Sequence, residues 1–109
     1  MNFYEYQKKA KRTAIYPYAG NNISYVALGL AGEAGEIANK VKKIIRDHEG
    51  ELTDEYRKII AKELGDVLWY VAAMSDEIGI SLNEIAEDNI LKLLSRFERG
   101  TLKGDGDTR

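Results

Sequence analysis

Apolar positions recur along this chain every three or four residues, the spacing of one helical face, and seldom alternate as a strand would. Phe3, Tyr6, Ala10 and Ala14 make one stripe of a first helix predicted from about Asn2 to Ile15. The segment Tyr16 to Asn22, which holds the only proline, is turn chemistry and is expected to be a loop. Ser24 is the expected N-cap of a second helix continuing to His48, where Glu49 and Gly50 end it. Thr53 or Asp54 opens a third helix that reaches Ile78, with Gly79 as its stop signal. Ser81 and Glu84 form a capping box for a fourth, carrying Leu82, Ile85, Ile90, Leu93, Leu94 and Phe97 and closed by Gly100. The reading is an all-α domain over residues 1–100, followed by a glycine-rich, charged tail over 101–109 expected to be mobile in isolation.

At about 1.5 Å per residue the second and third helices each approach 40 Å. Their short connection predicts a long antiparallel hairpin within a four-helix-bundle-like arrangement. Ile59, Ile60, Leu64, Val67, Leu68, Val71 and Met74 cover most of the third helix, which predicts burial on several sides. Trp69 shares the remaining side with Lys58 and Lys62, and an indole there suggests an interface. A chain of 109 residues buries only about two thirds of its unfolded surface. Homo-oligomerisation, as a dimer or a tetramer, is therefore expected.

Four acids interrupt these apolar helices. Glu33 and Glu36 lie three apart on the second helix, and Glu63 and Asp66 lie three apart on the third, so each pair points one way. Glu63 and Asp66 share their face with Tyr70 and Met74, while Glu33 and Glu36 share theirs with Val26, Gly29, Ile37, Lys40 and Ile44. Buried unpaired, each acid costs several kcal/mol. The pairs sit at similar distances from the hairpin turn and are expected to meet. Gly29, Gly32, Gly35 and Gly65 accompany them, each costing about 1 kcal/mol inside a helix. Tight helix packing and close approach of a ligand both account for them.

Carboxylates without cysteine or a suitably spaced histidine make a hard-oxygen site, suited to Mg²⁺ or Mn²⁺ rather than Zn²⁺ or copper. The only histidine, His48, has Ile45 three residues before it, so the Glu-x-x-His pair of a di-iron bundle is missing. His48 reads as a solvated helix-end residue. Mg²⁺ held by a few carboxylates keeps waters and takes substrate phosphates, which points to phosphoryl chemistry.

The remaining composition serves to exclude. A formal charge of −2 without a strong basic tract argues against binding a nucleic-acid polymer. The absence of cysteine removes disulfides, thiolate metal sites and cysteine nucleophiles. Neither a signal peptide nor a membrane-length apolar run is evident, so a soluble, cytoplasmic protein without a membrane partner is expected.

Leu28–Lys43 (LGLAGEAGEIANKVKK) and Lys62–Ala72 (KELGDVLWYVA) together give an E-x-x-E and E-x-x-D pattern. In these segments, in Thr13–Pro17 and in the ending from Asn89, the chain resembles small, single-domain MazG-like nucleotide pyrophosphohydrolases. The resemblance implies Mg²⁺-dependent hydrolysis of a (deoxy)nucleoside triphosphate to monophosphate and pyrophosphate, cleaning or adjusting the nucleotide pool. It makes Glu33, Glu36, Glu63 and Asp66 the metal ligands, with Glu36 chosen as the acid that orients or deprotonates the attacking water. Family analogy places Asn89, Lys92 and Arg96 near sugar and phosphates, with a solvated polar face as the other reading of Arg96. Tyr70 then packs on base or sugar, or fills core. Lys40 contacts phosphate, or pairs with Glu36 one turn away. A dUTPase-like hydrolase and a non-catalytic metal-binding helical module are the competing readings.

Overall fold

The computed structural model describes residues 1–109 as four helices without a strand. Helix α1 spans Phe3–Lys11, α2 Ile23–His48, α3 Asp54–Ile78 and α4 Leu82–Glu98. The expected punctuation closes three of them. Thr53 and Ser81 accept hydrogen bonds from the backbone N–H groups of Tyr56 and Glu84, capping α3 and α4. Glu49 and Gly50 end α2 in left-handed conformations, and Gly79 ends α3 likewise.

Two boundaries differ from the sequence expectation, and both are decided by tertiary contacts. α1 stops at Lys11 instead of running to Ile15. The Thr13 hydroxyl donates to the Ala10 carbonyl, and the Trp69 indole N–H donates to the Thr13 hydroxyl at 2.7 Å, fixing the chain where it leaves the helix. The cap of α2 is Asn22, not Ser24. The Asn22 side chain accepts from the Tyr25 N–H and donates to the Pro17 carbonyl, while its own N–H donates to Glu77. Glu77 is the anchor of the whole connection, because Tyr16 and the Gly20 N–H also donate to its carboxylate. Tyr16 stacks on Tyr25 at 4.8 Å behind it.

α2 and α3 form the expected antiparallel hairpin. Outward from the turn, His48 lies against Tyr56, Lys40 against Glu63, Glu33 against Asp66 and Gly29 against Tyr70. α1 and α4 cover one end of α3, and α4 has no contact with α2. Gln7 ties this end together. Its amide donates to Ser75 and Asp76 of α3 and accepts from the Leu82 N–H at the start of α4. Residues 101–109 fold back on the end of α4, where the Arg96 guanidinium donates to the Asp107 carbonyl and Arg99 to that of Arg109.

The core of one chain is small. Only Val26, Ile44, Ala72, Ala73 and Leu82 are buried apolar residues. The expectation that α3 is buried on several sides is met only in part within the chain: Ile59, Ile60, Val67, Leu68, Val71 and Met74 are half-buried, and Leu64 remains 54% exposed. Nor is Trp69 a free surface indole: Thr13 holds its N–H and Tyr16 meets it edge-on. Ile90, Leu91, Leu94 and Phe97 on α4, and Leu28 and Ile45 on α2, are left uncovered. The radius of gyration is 16.8 Å, against about 13 Å for a compact chain of this length. No helix is long and apolar enough to cross a membrane.

Candidate functional site

Midway along the hairpin, Glu33 from α2 and Glu63 and Asp66 from α3 converge, with one carboxylate oxygen of each within 4.8 Å of the others. The i, i+3 spacing places Glu63 and Asp66 on one face of α3, and the antiparallel register sets Glu33 opposite. Glu33 and Glu63 are half-buried and Asp66 is exposed, so these acids border an open face instead of being sealed in a core.

Partial burial, and then the charges of Asp66, Glu63 and Glu36, hold the Glu33 carboxyl above the usual range. Like charges at this distance disfavour ionisation, and a cation among them removes that penalty. Two oxygens on one Mg²⁺ stand at most about 4.2 Å apart, twice its usual metal–oxygen distance. Small side-chain rotations therefore bring this all-oxygen set around such an ion. The donors fit a hard divalent cation.

Glu36 does not join the group, although all four acids were expected to meet. It is exposed one turn along α2, near enough to raise Glu33 but outside the converging three. Lys40, from the next turn, crosses to Glu63 at 3.6 Å and does not pair within its own helix with Glu36. A cation thus already stands on the side of Glu63 toward the turn.

On the other side of the acids lies a cleft of about 350 Å³, lined by Thr13, Glu33, Asp66, Trp69 and Tyr70. Trp69 and Tyr70 meet edge-to-face, with centroids 4.9 Å apart. Burial, then the neighbouring Tyr25 hydroxyl, raises the Tyr70 pKa. The Tyr70 ring lies over Gly29 so closely that a Cβ there stands 2.1 Å from a ring carbon. Of the four glycines among the acids, only Gly29 meets a close neighbour; Gly32, Gly35 and Gly65 have nothing within 4 Å, so packing inside this chain does not account for them.

The three α4 residues stand apart from the acids. Asn89 and Lys92 border a separate cleft with Ile80, Ile85 and Asp88. Arg96 is buried, not part of a solvated face, and its guanidinium is engaged by the tail. Sequence reasoning missed Thr13 and Glu77, which position the aromatic wall. Thr13 lay in the Thr13–Pro17 segment that carried the resemblance, but nothing local pointed to its hydroxyl. Glu77 did give one, because an acid in the last turn of a helix opposes the macrodipole and calls for another partner.

The profile of the MazG nucleotide pyrophosphohydrolase domain matches residues 22–100, which contain α2, α3 and α4. The gene 37 protein of Mycobacterium phage L5 is 50% identical over 109 residues, covering 95% of this chain and 96% of the relative. An uncharacterized protein of Bacillus subtilis (strain 168), YvdC, is 35% identical over 74 residues, covering 63% of this chain and 70% of its own. No solved structure matches. The chain belongs to the MazG nucleotide pyrophosphohydrolase family.

Proposed function

We propose that this member of the MazG nucleotide pyrophosphohydrolase family hydrolyses (deoxy)nucleoside triphosphates to monophosphate and pyrophosphate, with Mg²⁺ or Mn²⁺ bound by Glu33, Glu63 and Asp66. The observation that carries the reading is the convergence of three carboxylates from two facing helices beside an aromatic-walled cleft. When bound, the divalent ions neutralise the phosphate oxygens and raise the acidity of water. The chain itself supplies position. The antiparallel hairpin sets the acids, so ordering them costs little when substrate arrives.

Glu36, left outside the converging group, is the carboxylate free to orient or deprotonate water. The water oxygen bonds to the α-phosphorus as the bond from that phosphorus to the bridging oxygen breaks. Pyrophosphate departs with the electron pair, and the water proton passes to the carboxylate. In this reading Lys40, which Glu63 holds near the acids, contacts the phosphates. Asn89 and Lys92 reach substrate from another copy, since α4 does not touch α2 in its own chain, while Arg96, buried and held by the Asp107 carbonyl, acts on the tail instead. The uncovered apolar residues of α2 and α4 support a homo-oligomer.

The test is incubation with the eight common NTPs and dNTPs, with Mg²⁺ or with EDTA, and chemical identification of the products. Monophosphate and pyrophosphate are expected with Mg²⁺ only. Glu63→Gln removes a ligand and is expected to abolish turnover, while Glu36→Gln lowers kcat by about 10²–10⁴-fold, the usual contribution of a general base. Diphosphate with orthophosphate as products, or no turnover by folded protein that binds Mg²⁺, sinks the reading.

A further inference from the structure

Lys8, Lys9, Lys11 and Arg12 stand together at the C-terminal end of α1, and all four are exposed. None forms an ion pair, since the pairs of this chain are Lys40–Glu63, Arg46–Asp47 and Arg57–Asp54. Glu5, the only acid among the first 32 residues, lies one turn before Lys8 and Lys9 and pairs with neither. Lys8 faces Lys11 and Arg12 one turn on, and Lys9 faces Arg12, so the cluster repels itself. The helix macrodipole offers roughly half a negative charge at this end, which is too little to offset four positive ones.

This cluster borders the acidic cleft. Thr13, next in the chain after Arg12, lines that cleft with Glu33 and Asp66, and the Trp69 indole holds it there. Toward the start of the same helix, the Asp66 charge adds to burial in raising the Tyr6 pKa. At about 1.5 Å per residue the four cations occupy about 6 Å of chain and lie within about 8 Å of Thr13 along the axis. The Debye length at physiological ionic strength is also about 8 Å, so their field reaches the cleft mouth. A countering field is needed there. The converging acids repel an incoming anion, and Lys40 beside them is already paired with Glu63.

We propose that Lys8, Lys9, Lys11 and Arg12 form a steering surface that draws the nucleotide's triphosphate to the cleft, setting its association rate without holding it once bound. The inference rests on the pyrophosphohydrolase reading for the identity of the polyanion. Phosphates along a strand are spaced about 3.4 Å, so a ridge of about 6 Å suits the phosphate chain of one nucleotide and is too short a track for a polymer. α1 precedes the residues 22–100 that the family profile matches, which makes this surface an addition to the shared domain.

The probes are fluorescently labelled α,β-methylene analogues of the four common dNTPs, mixed with the full chain and Mg²⁺ in stopped flow. Salt is varied from about 0.01 to about 1 M, over which the Debye length falls from about 30 to about 3 Å. Charge steering raises association rates by about 10–10³-fold, so changing all four cations to Gln is expected to lower kon at least about tenfold at the lowest salt, with koff within about twofold. Variant and parent are expected to converge at the highest salt. Lys8→Gln with Arg12→Gln, the milder variant if four changes unsettle the fold, is expected to lose part of the same rate. Lys8→Arg, Lys9→Arg and Lys11→Arg together keep it. Lys42→Gln with Lys43→Gln, at the turn end of α2, controls for net charge and leaves kon within about twofold. An unchanged kon at low salt, a loss carried by koff, or an equal loss in that control overturns the steering. Turnover of the natural triphosphates is measured in parallel. Turnover with kon unaltered by the Gln changes overturns the steering and leaves the reaction standing. Salt-dependent association that the Gln changes slow, without turnover, supports the steering and overturns the reaction. Folded protein that binds no analogue overturns both.

Discussion

Gly29 and Gly32 sit one turn apart in α2, and the same substitution is expected to stabilise at Gly32 and to be neutral or destabilising at Gly29. At Gly29 an added Cβ stands 2.1, 2.4 and 2.6 Å from three carbons of the Tyr70 ring. Ordinary carbon–carbon contact is about 3.5–4.0 Å, so the ring has to retreat by roughly 1.5 Å. Trp69 meets that ring at 4.9 Å and Tyr25 stands by its hydroxyl, which restricts the retreat. Overpacking of this kind costs about 1–3 kcal/mol. Alanine returns about 1 kcal/mol through helix propensity. Gly29→Ala is therefore expected to lie between neutral and about 2 kcal/mol destabilised by those two terms. At Gly32 nothing lies within 4 Å, and only the propensity gain of up to about 1 kcal/mol remains. Urea and thermal unfolding of both variants, without metal or nucleotide, measure the contrast. At about 4–8 °C per kcal/mol for a chain of this size, the full propensity gain at Gly32 separates the two melting temperatures by at least about 4 °C. Tyr70→Ala in the Gly29→Ala background tests the assigned cause, since contacting residues show a coupling energy that separate ones lack. Equal shifts at the two glycines, or additive effects at Gly29 and Tyr70, refute the reasoning.

Two further expectations concern the joints of the fold. Gln7→Leu removes the bonds to Ser75 and Asp76 and leaves the Leu82 N–H without its partner; a loss of about 2–4 kcal/mol is expected in urea unfolding, and one below about 0.5 kcal/mol refutes the role. The Glu77 anchor gives stability a pH dependence on two sides. Hydrogen bonds from Tyr16 and the Asn22 N–H lower the Glu77 pKa from 4.5, so its contribution is present above that value and lost as pH falls through the lowered one. Burial and the bond to Glu77 raise the Tyr16 pKa from 10.0 to about 12, so its contribution is full below 10.0 and lost as pH rises through about 12. Melting temperature against pH is expected to lose the alkaline limb in Tyr16→Phe and to flatten on both limbs in Glu77→Gln; a profile of unchanged shape in Glu77→Gln counts against the anchor.

The sequence by itself determined the helices whose signals are local. Thr53, Ser81, Gly79 and the Glu49–Gly50 pair act through groups within a few residues, so their ends needed no tertiary knowledge. The pairing of acids was legible for the same kind of reason, because i, i+3 spacing fixes a common face and a short turn fixes an antiparallel partner. Tertiary structure decided what depends on residues far apart. Trp69 shortened α1 through Thr13, and Glu77 selected Asn22 over Ser24 as the cap of α2. The hairpin's register sent Lys40 across to Glu63, and Glu36 stayed outside the three acids that converge. An apolar pattern says that a face avoids water but not what covers it. Ile90, Leu93, Leu94 and Phe97 on α4 accordingly emerge, in one chain, as exposed surface, whereas of the α3 residues that read as buried only Leu64 does.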